Sequence, residues 1–183
     1  MADPKTDSES LLNAALPFAE KMLKEHGEFY PYAFTLRADG TTAMVAGYDG
    51  REKPPSRDIV GLLKNGLRVD AAARKILASA IVSDVLTTDP STGVKTDAIS
   101  VALDHRDHYS IVVLLRYTLK NSSLNVSPPT AQKGPQISFR SEMSNNRFER
   151  SRGCIFGGQG GKSMIGINQL RLMSRNRVAQ PHR

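Results

Sequence analysis

The chain reads as an α+β protein: a mainly antiparallel sheet of about five strands with two packed helices, in the order α-β-β-α-β-β-β, followed by a largely unstructured tail. Three observations predict this. Apolar residues recur every three or four positions over residues 8–27 and 57–78. Runs of β-branched and aromatic residues flank turn-forming segments such as Asp39-Gly40 and DPSTG. After Lys120 the chain turns abruptly to Pro, Ser, Asn, Gln and Arg, with isolated apolar residues that cannot build a core. The expected organisation is one domain over residues 1–120 and a basic tail over 121–183.

The first helix is expected from about Ser8 to Gly27. Leu11, Leu12, Ala15, Phe18, Ala19, Met22 and Leu23 share a face, Ser or Asp can cap the start, and Gly27 can close the end. Pro17 lacks an N–H and crowds the preceding turn, so a kink or a later start is expected there. FYPYAFTLRADGTTAMVAGYDG then predicts a hairpin about Asp39-Gly40. Asp49-Gly50 and Pro54-Pro55 end its second strand, and Ser56 is the expected N-cap of the second helix.

That helix is expected to run from Arg57 to about Ala78, on the spacing of Ile59, Leu63, Leu67, Ile76 and Leu77. Gly61 and Gly66 either allow close packing or break it near Lys64-Asn65-Gly66. Three strands follow, Ile81–Thr87, Thr96–Leu103 and Tyr109–Leu119, the last apolar enough to be covered on both faces. Near the C-terminus, SMIGINQLRLMSRNRV has the pattern of a short basic amphipathic helix.

Charge divides the chain at the same place. The formal net charge is +7 with an isoelectric point near 9.7, but residues 1–120 carry fifteen Lys and Arg against sixteen Asp and Glu, and residues 121–183 carry ten against two. The basic character that would suggest nucleic acid therefore belongs to the tail. One cysteine, Cys154, excludes an intrachain disulfide and fits a reducing compartment. MADPKTDSES has neither the basic start nor the apolar stretch of a signal peptide, and no run approaches a membrane span. The expectation is a cytoplasmic protein that uses no membrane.

AALPFAEKMLKEHGEFYPYAFTLRADG and KTDAISVALDHRDHYSIVV resemble a family of small uncharacterised bacterial α+β proteins, the likeness covering about residues 10–118. It implies the fold and the domain boundary, and no activity. MSNNRFERSRG is similar to the translated edge of a repeated bacterial genomic element, which would make the tail a product of readthrough or frameshift.

No motif carries a reaction. Gly157 to Ser163, GGQGGKS, imitates a phosphate loop, but three residues rather than four separate Gly157 from Gly161. DHRDH, Asp104 to His108, gathers two imidazoles and two carboxylates that could ligate a divalent ion, yet an exposed hairpin turn would favour the same residues. It also imitates the kinase catalytic loop, where Val112 stands in place of the required Asn. Ser56, Ser83, Thr96 and Ser110 occupy no nucleophile elbow, and Cys154 lacks a preorganised base. Carboxylate pairs are conceivable at Asp97 with Asp104 and at Glu25 with Glu28. The tail arginines Arg140, Arg147, Arg150, Arg152, Arg171, Arg175 and Arg177 could contact phosphates without sequence preference.

The expected function is thus a non-catalytic protein-binding domain of the immunity or accessory kind, without catalytic residues, metal or cofactor. Its candidate surface is Lys95, Thr96 and Asp97, which enter a strand just after a turn, with Asp104, His105, Arg106, Asp107 and His108. The alternatives are non-specific nucleic-acid association through the tail, and a small hydrolase or metal enzyme at DHRDH.

Overall fold

The computed structural model describes residues 3–90 and 92–139. The elements are α1 (Pro4–His26), β1 (Tyr32–Arg37), β2 (Thr42–Ala46), α2 (Ser56–Ala72), β3 (Ile76–Thr88), β4 (Lys95–His105), β5 (Ser110–Lys120), β6 (Ser123–Val126) and β7 (Thr130–Lys133). The expected α+β order is present, and two short strands extend it. The sheet runs β2-β1-β3-β4-β5-β6, with β7 also on β5, and every pairing is antiparallel.

α1 begins a turn earlier than expected. Asp3, not Ser8, is the cap: its carboxylate accepts from the Lys5 N–H at 2.8 Å and from the Thr6 N–H at 3.4 Å. Ser8 is buried inside the helix and donates to the Pro4 carbonyl. Pro17 lies within the helix on its exposed side, and the carbonyl it deprives of a partner belongs to exposed Asn13, where water can serve. Gly27, at φ 76°, ends the helix by donating to the Leu23 carbonyl.

Arg37 to Thr41 form the expected hairpin turn, with Gly40 at φ 80° and the Asp39 carboxylate accepting from the Thr41 N–H. α2 has no side-chain cap, since Pro55 occupies the cap position and Ser56 is the first helical residue. It passes unbroken through Gly61 and Gly66 and stops at Ala72, short of the expected Ala78. Arg74 takes the left-handed φ of 56°, and Ile76 onward pairs with β1. Residues 76–78 fit a helical period, but the β1 ladder captures them, because backbone pairing and burial of Ile76 outweigh local spacing.

The helices cover opposite faces. α1 lays Leu11, Ala15, Ala19 and Leu23 on Tyr32, Leu36, Ala78, Ala80, Val82, Ile99, Val101 and Val113. The alanines on both sides permit close approach. The Tyr32 hydroxyl donates to the Ala15 carbonyl at 2.9 Å, and its ring meets Phe18 edge-on at 4.9 Å. On the other face Ile59, Leu63 and Leu67 of α2 pack on Ala33, Ile76 and Ile81, each burial contributing roughly 1.5–3 kcal/mol.

The fold runs past Lys120. β6 pairs with Tyr117–Lys120, β7 pairs with Ile111–Leu114 along the same edge of β5, and Pro128-Pro129 interrupt the two. Residues 134–139 then cross onto the α2 face, where Ile137 is 6% exposed and joins the core. The boundary expected at Lys120 therefore moves to at least Phe139. Gly157–Ser163, Cys154, the tail arginines and the basic helix expected near the C-terminus lie outside the described residues. No helix among the described residues is long and apolar enough to cross a membrane.

Candidate functional site

The eight residues singled out in the sequence do not form one surface. Lys95–Asp97 open β4, and Asp104 and His105 end it, so about seven residues of strand, roughly 23 Å, separate the two groups. Alternation along the strand also puts Asp97 and Asp104 on opposite faces, which rules out the carboxylate pair.

DHRDH is not simply an exposed turn. Asp104 and His105 are strand residues, 0% and 2% exposed, and only Arg106, Asp107 and His108 are exposed. Asp104 faces the α2 side. One carboxylate oxygen accepts from the N–H groups of Ile137, Ser138 and Phe139 at 2.8, 2.6 and 3.2 Å, and the other accepts from the Ser110 hydroxyl at 2.6 Å. Ser79 and Ser138 hydroxyls meet beside it at 2.8 Å. A carboxylate so fully used holds the 134–139 segment on the sheet and has little capacity left for a ligand.

His105 faces the other way, toward α1. Its Nδ1 accepts from the Asp107 N–H at 3.1 Å, so Nε2 carries the proton that faces the Asp7 carboxylate at 3.3 Å. His108, at φ 60°, meets the Gln136 amide through Nδ1 at 2.8 Å. Asp104 and His108 are thus spent on the 134–139 segment and His105 on α1, and among the described residues no group of His, Cys, Asp and Glu is arranged to hold a metal.

The other end of β4 is different. β1 stops opposite Val82 and β5 leaves β4 beyond Ala98, so residues 83–88 of β3 and 95–97 of β4 continue together as a two-stranded arm. On its α1 face Asp84, Leu86 and Asp97 cluster, Leu86 directly opposite Asp97. The Tyr117 ring reaches across from β5 and its hydroxyl donates to Asp84 at 2.9 Å. Glu28, just beyond α1, is close enough to act on Asp84.

Burial raises the Asp84 carboxyl above its ordinary value of 3.8. The Tyr117 hydrogen bond opposes this, and the negative charges of Asp97 and Glu28 reinforce it. The Tyr117 hydroxyl is pushed well above its ordinary value by burial and by the Asp84 carboxylate it already serves. Leu86 is 62% exposed beside this group, and Lys95 stands farther out at the tip. Glu25, the other half of the expected pair with Glu28, instead lies 3.9 Å from Lys21 on α1.

Of this group only Asp97 stood among the candidate surface residues expected from the sequence; Asp84, Leu86 and Tyr117 did not. Asp84 could have been noticed as a carboxylate on the buried-side register of an apolar strand, two residues beyond Val82. Tyr117 carried no such signal and Glu28 stood out only as a partner for Glu25, since only the packing of β5 and α1 sets them beside this arm. No family model, curated protein or solved structure matches the chain.

Proposed function

We propose that the chain is a non-catalytic protein-binding domain, immunity-like or accessory, whose contact surface is the acidic arm of β3 and β4. The observation that carries this reading is the clustering of Asp84 and Asp97 on the face that Tyr117 reaches, beside exposed Leu86, with Glu28 adding its charge to that of Asp84. The described residues as a whole hold sixteen Lys and Arg against sixteen Asp and Glu, so this local excess comes from placement. Like charges held together beside a buried hydroxyl cost stability, and a cationic partner would relieve that cost on contact. Leu86 supplies apolar area at the centre of the charged rim.

The test is affinity capture with the full chain and with a Glu28→Gln, Asp84→Asn, Asp97→Asn variant, followed by reconstitution with the purified captured protein. The expected result is a stoichiometric basic partner whose affinity falls with salt and drops at least tenfold for the variant. A partner bound equally by both chains, or binding only to nucleic acid, would overturn the reading.

A further inference from the structure

We propose that the open edge of β3 between Ser83 and Thr88 receives an extended basic segment of a partner protein as an added antiparallel strand. This rests on the recognition reading above and specifies its mode. The backbone of the arm is the first ground. Asp89 donates to the Val94 carbonyl at 2.8 Å, and antiparallel hydrogen-bonded pairs recur at every second residue. Ser83, Val85 and Thr87 therefore turn their N–H and C=O groups toward β4, while Asp84, Leu86 and Thr88 turn theirs outward. β1 would fill that side, but it ends at Tyr32, preceded by Pro31, which has no N–H to offer a ladder.

The other edges of the sheet differ. β5 is covered by β6 and β7, broken by Pro128-Pro129, and β2 is an edge strand of only five residues. The β3 edge offers six residues, about 20 Å of strand. Its occupant is selected by charge. A second copy of this chain paired there would bring two sets of Glu28, Asp84 and Asp97 together, whereas a basic strand would neutralise one set.

The register also sets the pattern of the added segment. Residues directly opposite Asp84 and Leu86 share their face and belong to hydrogen-bonded pairs, so those positions should be Lys or Arg with their N–H groups aimed at β3. The residues between them face Ser83, Val85 and Thr87 and should be β-branched. The recognised chemistry is an alternating basic and β-branched strand.

The probe is a fluorescein-labelled heptapeptide alternating Lys and Val, Lys at both ends, titrated against the full chain by anisotropy. Binding is expected to be saturable and salt-dependent, to weaken at least tenfold in an Asp84→Asn, Asp97→Asn variant, and to slow hydrogen exchange at the Asp84, Leu86 and Thr88 amides. N-methylation of the Lys residues should reduce affinity at least tenfold, and N-methylation of the Val residues should change it less than threefold. If both methylated peptides bind like the parent, the contact is through charge alone: strand addition fails while the recognition reading stands. If the parent peptide does not bind, or a Glu-Val peptide binds equally, the proposal is overturned. Capture of a basic partner through the acidic face would still uphold recognition without strand addition.

Discussion

Asp104 of β4 and Ile137, residues 33 apart in sequence, are joined by a 2.8 Å hydrogen bond from the Ile137 N–H to a fully buried carboxylate. The same oxygen serves the next two amides, and Arg68 of α2 donates to the Ile137 carbonyl at 3.0 Å. Replacing Asp104 with Ala would strand the buried Ile137 and Ser138 N–H groups away from water and remove a partner from the half-buried Phe139 N–H and Ser110 hydroxyl. A loss of about 3 kcal/mol or more is expected, read as a lower urea midpoint. A midpoint within experimental error of the wild type would show that the segment is not held by this carboxylate.

The domain boundary follows from that bond. A chain ending at Lys120 lacks β6, β7 and Ile137 and leaves Asp104 without its backbone donors. It is expected to lose cooperative unfolding, while a chain ending just after Phe139 retains it. Thermal melts followed by circular dichroism separate the two outcomes, and a cooperative melt of the shorter chain would place the boundary back at Lys120.

Two glycines should respond in opposite directions. A Cβ on Gly134 would stand 2.9 Å from the backbone carbonyl carbon of Ile111, so Gly134→Ala should cost about 1–3 kcal/mol. Gly61 lies within α2 with nothing within 4 Å of its Cβ position. Gly61→Ala should stabilise by about 0.5–1 kcal/mol. Chemical denaturation of both variants tests the close crossing of residue 134 over β5 against a helix control.

Asp84 predicts a pH dependence with a definite sign. Its folded value is raised above the ordinary 3.8, so the folded state holds the proton more tightly than the unfolded chain. Its contribution to stability is full below about pH 3.8 and is lost as pH rises through the folded value. Asp84→Asn, which keeps an oxygen for the Tyr117 hydroxyl, should be more stable than wild type at pH 7 and should lose that advantage toward pH 3.5. Urea titrations across that range check it. An unchanged or lower stability at pH 7 would mean that neither burial nor the charges of Asp97 and Glu28 penalise the Asp84 carboxylate.

The fold class and the order of the first seven elements are legible in the amino-acid sequence. Amphipathic spacing over α1 and the first half of α2, the Asp39-Gly40 turn and the apolar β5 run are local signals, and local chemistry enforces them. It also showed that the positive charge sits behind the domain. What it could not determine was anything set by pairing at a distance. Ile76–Ala78 became strand because β1 lay alongside, and Ser123–Val126 and Thr130–Lys133 became strands because β5 had an unfilled edge. Asp104 and His105 looked like neighbours on a polar turn, but the two-residue alternation of a strand sent one to α2 and the other to α1. The acidic surface needed Glu28, Asp84, Asp97 and Tyr117 from four separate segments. Their proximity is decided by sheet order and helix position, which no spacing in the chain encodes.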